Sequence, residues 1–587
     1  MDGSQLQGHP SPKPAVTVAI RNMENQLLRM RQGEITNDEF RPNRTILGVY
    51  GQRQPEEYMM RVRVPFGGLS PAQLRTLAEI AREHGNGAAH VTTRQNVQLH
   101  WLKLEKIADI LWTLRNAGMT TLQTGGNSVR TVAACPLAGV CPKEAFDVTP
   151  YAQALDDHYL GNQEVMALPR KVKMAFSGCA QDCAYAAIQD FGAIAQVQGT
   201  NGATRKGFRV LVGGGLGVFP RMAQVLEEFL PEENLYSASD AVIRVFDKLG
   251  DRHNKQKARL KFVLARRGIE EFRSLVAEEQ QNHGTTSNGT QNLDTHTPHH
   301  DPPSPLTQHP SDTPVPDDPS YHQWVRWNAS AQRQTPFVSV LIPLQLGDVT
   351  SAQMEAVAGL AERLGAADVR TSQQQDLVLR NVPASALPEV YQTLSGEGLT
   401  SLRAWGIANV TTCPGASACS LGIVSAKALA GQLSQMLQAS AYQEDEALGG
   451  LRIKVSGCPD SCGHHYLADI GLYGCALHQE GRLYPAYQIL LGGEVTQEGT
   501  RFARPIAKIP ARLAPQVVAS LLQTYRSARN PEEGFSAFVD RIGTETLRQA
   551  LAGFTRVPSL DQDPSFYMDW DATQMYILQR GEGECAV

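Results

Sequence analysis

Eight cysteines fall into two matching sets. Cys135 and Cys141 form C-x5-C and Cys179 and Cys183 form C-x3-C; Cys413 with Cys419, then Cys458 with Cys462, repeat both spacings. The gap between the pairs is 38 residues in the first set and 39 in the second. Four thiolates are the ligand complement of a [4Fe-4S] cluster. Thiols scattered through a core would not repeat at matched spacing. A disulfide framework belongs to small secreted chains, and Met1–Ser70 shows no basic, apolar and small-residue succession of a signal peptide. Zinc knuckles bring two thiolates together over two to four residues. A C-x5-C is open for one ion but can wrap the corner of a larger cluster. A ligand set written twice predicts a duplicated fold that handles electrons.

The cations are not duplicated with the cysteines. The first half carries Arg61, Arg63, Arg94, Arg130, Lys171 and Lys173, where alignment of the second half puts Ser339, Leu341, Gln374, Ala408, Gly450 and Arg452. Cations are costly inside a fold unless they face an anion. The expectation is an anion pocket built by the first half, with the second cysteine set opposite it.

The elements that position these residues also repeat. An alternating strand at Met60–Pro65 (MRVRVP) matches Ser339–Pro343 (SVLIP). Each precedes a turn and an amphipathic helix, SPAQLRTLAEIAREHG and TSAQMEAVAGLAERLG. Strands follow in VTTRQNVQLHWL and VRTSQQQDLVLRNV, then helices in IADILWTLRNAGM and LPEVYQTLSGEGL. Period 3.6 alternating with period 2 in this order predicts a split α+β sandwich used twice. Each repeat leads into a cysteine segment ending in a glycine-rich strand, VLVGGGLG (Val210–Gly217) or ILLGGE (Ile489–Glu494). Helices are expected after these, in PRMAQVLEEFL and LAPQVVASLLQTY. VGGGLG lacks the spacing and the following acid of a dinucleotide fingerprint.

The predicted division is an extension at 1–44 with a polar, disordered start and a half-domain at 45–130. A cysteine domain at 131–279 and a disordered connector at 280–333 follow. The second half-domain is at 334–405, the second cysteine domain at 406–560 and a tail at 561–587. The connector has scarcely any large apolar residue with which to offset its ordering entropy. Its histidines (His283, His296, His299, His300, His309) read better as solvated linker than as metal ligands. At 587 residues, 42% hydrophobic and 19% charged, the chain has a globular composition. A net charge of −5 carries none of the basic excess of a nucleic-acid binder. No apolar run approaches the length of a membrane span, so the expectation is a soluble, cytoplasmic protein. Cys475 in GLYGCALH reads as a strand thiol. Cys585 in GEGECAV reads as part of an exposed tail, or alternatively as a thiol that reaches the active site or a partner.

The chain resembles the siroheme-dependent nitrite/sulfite reductase family across roughly 45–275 and 335–560. The carrying motifs are MRVRVPFGG (60–68), VTTRQNVQLH (91–100), LPRKVK (168–173), VGGGLG (212–217), TTCPGASAC (411–419) and KVSGCPDSCG (454–463). The resemblance implies an internally duplicated α+β fold of two ferredoxin-like half-domains and two siroheme/[4Fe-4S]-binding domains. It implies a cluster on Cys413, Cys419, Cys458 and Cys462, with Cys462 bridging the cluster to the siroheme iron. It places substrate on Arg61, Arg130, Lys171 and Lys173. Siroheme's eight carboxylates need further partners, for which Arg63, Arg94, Gln98, His100 and the run Lys255, Lys257, Arg259, Lys261 are candidates. For that run a solvated helix face is the equal alternative. The implied reaction is six-electron reduction of sulfite to sulfide or of nitrite to ammonia, with electrons from ferredoxin or a separate flavoprotein. A nitrite-preferring enzyme and a non-catalytic iron–sulfur carrier are the other readings. Nitrite-specialised members tend to read LPRKxN, so Lys173 points to sulfite. Well-known assimilatory members have lost the first cysteine set, whereas this chain keeps Cys135, Cys141, Cys179 and Cys183. A second cluster is therefore expected, and whether a second siroheme accompanies it stays open. Any such centre should be structural or an electron relay, since the second half lacks the substrate cations.

Overall fold

The computed structural model describes residues 13–200, 203–284, 314–365, 368–581 and 584. The duplication is visible strand by strand. The first half-domain orders its sheet as Val49–Gly51, Tyr58–Val62, Val97–Leu102, Ala88–Val91, and the second orders Ala329–Ala331, Phe337–Ile342, Leu377–Pro383, Val369–Thr371 in the same way. Each sheet takes its fifth strand from the other half: Asp348–Thr350 pairs with Ala88–Val91, and Gly68–Leu69 pairs with Val369–Thr371. This exchange leaves neither sheet with an open edge there.

The strand registers fix the pseudo-symmetry. Val62 pairs with Val97 and Ile342 with Leu377, and the left-handed Phe66 and Gln95 recur as Leu346 and Gln375. The structural counterparts of Arg61 and Arg63 are therefore Leu341 and Pro343, two residues beyond the expected Ser339 and Leu341. The conclusion drawn from the asymmetry is unchanged, because neither counterpart is a cation.

Helices Pro71–His84 and Ser351–Arg363 start from capping boxes, Ser70 with Gln73 and Thr350 with Gln353. They lie against each other, tied by Arg75 to Glu355 and Glu362 at 2.6 Å each. Their apolar faces and both sheets form one continuous core spanning the two half-domains, whereas each cysteine domain keeps a core of its own. The cysteine domains order matching mixed sheets: Ala133–Ala134, Met174–Ser177, Phe191–Thr200, Ala203–Val212, Gln224–Pro231 in the first, and Thr411–Thr412, Ile453–Ser456, Ile470–Gln479, Arg482–Leu491, Arg504–Pro510 in the second.

Two expectations are corrected, the helix in PRMAQVLEEFL and the extent of the connector. PRMAQVLEEFL is not helical. Gln224–Pro231 is an edge strand paired with Ala203–Val212 through two register shifts. Leu226 and Leu230, four apart, suit either a helix or a bulged strand, and the open sheet edge decides. LAPQVVASLLQTY does form a helix, Ala514–Ala528. The extension is ordered from Lys13 onward. Helix Pro14–Arg31 buries Val16, Ile20, Met23 and Leu27 in the shared core, and residues 1–12 lie outside the described ones. The connector is shorter than 280–333: one helix runs to Gly284, and helix Pro319–Asn328 buries Tyr321 and Trp324. His296, His299, His300 and His309 fall outside the described residues. The tail also packs, with Tyr567 2% exposed. Among the described residues no helix is long and apolar enough to cross a membrane.

Candidate functional site

A cavity of about 780 Å³ opens where the first half-domain, the first cysteine domain and the second cysteine loops meet. Cys413, Cys419, Cys458 and Cys462 form one wall, and Arg61, Arg94, Arg130, Lys171 and Lys173 line it from the other half. Cations of the first half and cysteines of the second thus line one cavity.

Each cation is delivered by a defined element. Arg61 and Gln98 are cross-strand partners, and with its amide turned to satisfy both groups, Gln98 accepts from Arg61 Nη2 at 2.8 Å. Arg61 also donates to Thr124 O at 3.0 Å and lies over the Tyr50 ring. His100 Nδ1 meets Gln52 Oε1 at 2.9 Å, and burial first, then His90, pushes its pKa down to about 3. Arg94 sits in the tight turn between Ala88–Val91 and Val97–Leu102. Its guanidinium donates to Gln189 Oε1 at 2.8 Å and Thr131 O at 2.7 Å, and burial pushes it down to about 10. Arg130 N donates to Val172 O at 2.9 Å, placing Arg130 beside the Lys171–Lys173 segment, and its Nη2 reaches Gly126 O at 2.6 Å.

Asp190, which the motifs did not single out, organises the basic wall. It is fully buried, accepts from Lys173 N at 3.0 Å and pairs with Arg259 at 2.7 Å. Lys173 lies well below an ordinary lysine pKa, through burial first and then the charges of Arg259, Arg94 and Lys171. Cys462 acts on it in the opposite direction. Burial pushes the Cys462 and Cys458 thiols up. Cys413 Sγ accepts from Gly457 N at 3.2 Å.

Among the described residues no group of three or more His, Cys, Asp or Glu is gathered as a single ion requires. A [4Fe-4S] cluster sets each thiolate on a different iron. The cavity fits a large polyanionic group. Within it His100 Nε2, Gln52 Nε2, Ser461 Oγ, His464 Nδ1 and Arg259 Nε are buried without a hydrogen-bond partner. The glycine-rich turn also lines it, through Leu216 and Gly217. A Cβ on Gly214 would stand 2.7 Å from Gln189 O, and one on Gly215 would collide with Arg259. Close approach of backbone, not dinucleotide binding, accounts for these glycines.

Two candidates are corrected. Arg63 does not face the cavity. It forms a fully buried two-point pair with Asp156, at 2.6 and 2.9 Å, that ties the half-domain to helix Thr149–Tyr159. Alternation on its strand put Arg61 and Arg63 on one face, but the Asp156 partner is remote in sequence. Arg63→Met leaves Asp156 charged and unpaired and should cost about 3–5 kcal/mol. A lower thermal midpoint, with normal cofactor absorption in the protein that folds, is the expected result. Of the basic run, Lys255, Arg259 and Lys261 line the cavity while Lys257 is exposed outside it.

Lys261 donates to Leu216 O at 2.9 Å and Phe219 O at 2.6 Å, holding the glycine-rich turn. Burial first, then Arg259, lowers its pKa to about 7. Between about 7 and an unfolded value near 10.4 the unfolded chain binds the extra proton, so this lysine makes stability rise with pH across that window. In cofactor-free protein the stability difference between wild type and Lys261→Gln should therefore move in favour of wild type from pH 7 to pH 10. A difference that stays constant over that range would contradict the shift.

Of the C-terminal residues the sequence points only to Cys585 for the site, and only as an alternative. Gly581 N donates to Ser420 O at 3.0 Å, Arg53 donates to Gln579 O at 3.0 Å, and Arg580 and Glu584 line the cavity. The Glu584 carboxylate accepts from buried Arg44 and from Gly51 N, both at 2.7 Å. Cys585 falls outside the described residues. Cys475 lies on strand Ile470–Gln479 away from the cavity.

Comparison with known proteins finds the two kinds of domain, each twice. The nitrite and sulphite reductase 4Fe-4S domain matches residues 125–283 and 404–555, and the nitrite/sulfite reductase ferredoxin-like half domain matches 50–117 and 330–396. The chain is 29% identical to the assimilatory ferredoxin-dependent nitrite reductase of Haloferax mediterranei, over 86% of this chain and 85% of that one. It is 30% identical to the ferredoxin–nitrite reductase of Synechococcus elongatus, over 80% and 86%. It is 29% identical to the sulfite reductase [ferredoxin] of Mycobacterium tuberculosis, over 84% and 83%. The solved structure of the Mycobacterium tuberculosis NirA protein superposes with a TM-score of 0.75 at 26% identity, covering 92% of this chain and 98% of that one. The chain belongs to the siroheme-dependent nitrite/sulfite reductase family. It is an oxidoreductase that uses siroheme and a [4Fe-4S] cluster.

Proposed function

We propose that this chain reduces sulfite to sulfide with electrons from ferredoxin. The observation that carries the reading is that Arg61, Arg130, Lys171 and Lys173 line the same cavity as Cys462. Cys413, Cys419, Cys458 and Cys462 hold the cluster in this reading. Siroheme bound in the cavity would supply the redox-active iron for the reduction, and Cys462 would be the thiolate that couples it to the cluster. Arg94, Gln98, His100, Lys255, Arg259 and Lys261 hold its carboxylates. Fixed charges in a buried site need no reorganisation as substrate charge shifts between oxygens. Each of the three sulfite oxygens leaves as water, taking two electrons and two protons. Lys171 and Lys173 hold protons at their Nζ atoms beside those oxygens, and the lowered affinity of Lys173 for its proton favours transfer. A bare iron–sulfur carrier would have no use for such a wall.

The ferredoxin donor is supported by the names of the relatives, which include both nitrite and sulfite reductases. Steady-state kinetics of the holoenzyme with a reduced viologen dye compares the substrates without assuming a donor. A higher kcat/KM for sulfite is expected. A preference for nitrite of tenfold or more would install the nitrite reading. Turnover with reduced ferredoxin but not with a flavoprotein tests the donor.

A further inference from the structure

The first cysteine set plays no part in the site above, yet its loops keep the same backbone. Left-handed Asp182 (φ 50°) and Tyr185 (φ 57°) answer to Ser461 (φ 60°) and His464 (φ 59°). Such conformations are costly for residues other than glycine and persist where the surroundings demand them. Cys141 N donates to Leu137 O at 2.9 Å as Cys419 N does to Gly415 O at 2.9 Å. Ala145 N donates to Gly178 O at 2.8 Å as Ile423 N does to Gly457 O at 2.9 Å. Ala184 N meets Ser177 Oγ at 3.2 Å as Gly463 N meets Ser456 Oγ at 3.1 Å. Cys135 and Cys183 are in hydrogen-bonding reach of each other, Cys183 bears electrostatically on Cys141 and Cys179, and all four thiols are free.

The surroundings differ from those of the second set where siroheme would sit. Beside Cys183 stands the Tyr185 ring, with its hydroxyl bonded to Gln374 and Lys454 over its face at 5.8 Å. The segment Gly450–Arg452, counterpart of Lys171–Lys173, lines an open pocket in which seven acids, among them Glu446, Asp469, Glu494 and Glu532, outnumber three arginines, Arg452, Arg501 and Arg529. An octacarboxylate would meet repulsion there instead of a basic wall.

We propose that Cys135, Cys141, Cys179 and Cys183 hold a second [4Fe-4S] cluster without a second siroheme. Its place suits a one-electron store. Tyr185 and His464, each two residues beyond the last cysteine of its set, meet edge to face at 5.6 Å and join the two C-x3-C loops. The cluster takes one electron from the donor and passes that electron on, with no bond made or broken.

The inference rests on the cluster chemistry of the family but not on the choice of substrate. Anaerobically reconstituted wild type should contain about eight non-siroheme irons, about eight acid-labile sulfides and one siroheme per chain. The double variant Cys179→Ser/Cys183→Ser should lose about half of that iron and sulfide and keep the siroheme absorption bands. Wild type with about four such irons overturns the inference whether or not the variant folds, and leaves the reductase reading standing. A Cys135–Cys183 disulfide, seen by mass after alkylation under non-reducing conditions, also overturns it. Two sirohemes per chain would refute its second clause.

Discussion

Cys462→Ser yields a chain without normal siroheme absorption and with turnover lowered at least about 10³-fold, equivalent to ~4 kcal/mol of barrier. Three observations converge on this thiol. It ends the KVSGCPDSC motif, it lines the cavity, and Lys173 bears on it electrostatically. Its carbonyl also accepts from Thr93 Oγ1 at 2.8 Å, so the first half-domain holds the loop in place. Serine is a hard ligand with a far higher proton affinity than a thiol and a poor match for iron in a sulfur cluster. Both cofactors should suffer together. Cys475→Ser is the contrasting variant: that thiol lies mid-strand, away from the cavity, and its loss should leave absorption and turnover unchanged. A Cys462→Ser protein with normal absorption and full turnover would remove this residue from the bridging position.

The site was legible in the sequence to the extent that its residues lie in short local patterns. The cysteine spacing, the strand carrying Arg61 and the LPRKVK segment each announce their chemistry within a few residues, and the fold brings them to one cavity. What escaped notice depends on partners remote in the chain. Arg63 reads like Arg61 until Asp156 is placed beside it. Asp190 reads as an ordinary acid until Lys173 and Arg259 converge on it. The fold-back of Arg580 and Glu584 has no local signature at all, since it rests on Arg44, Gly51 and Ser420 from other parts of the molecule. Gln224–Pro231 shows the same limit for secondary structure, because an available sheet edge outweighed a pattern that fits a helix equally well.

Lys173→Asn lowers kcat/KM for sulfite by on the order of 10²-fold and that for nitrite by clearly less. A cation about 4 Å from a unit charge is worth ~4 kcal/mol at an effective dielectric constant of 20, and the interaction doubles for a dianion. Asparagine keeps a hydrogen-bond donor but removes that charge, so sulfite loses more than the nitrite monoanion. The crowding of Lys173 by Arg259, Arg94 and Lys171 sharpens the difference. Burial first and then those charges push its pKa down, so an arriving anion must help it hold its proton, and a dianion does so more strongly. The same linkage has a sign. An anion that raises the lysine pKa binds with proton uptake and binds less well as pH rises past the pKa of the free enzyme. The pH dependence of sulfite binding should therefore be shallower in Lys173→Asn than in wild type, once the titration of sulfite itself is subtracted. Equal losses for the two substrates, or an unchanged pH slope, would show that Lys173 supports the basic wall without discriminating between them.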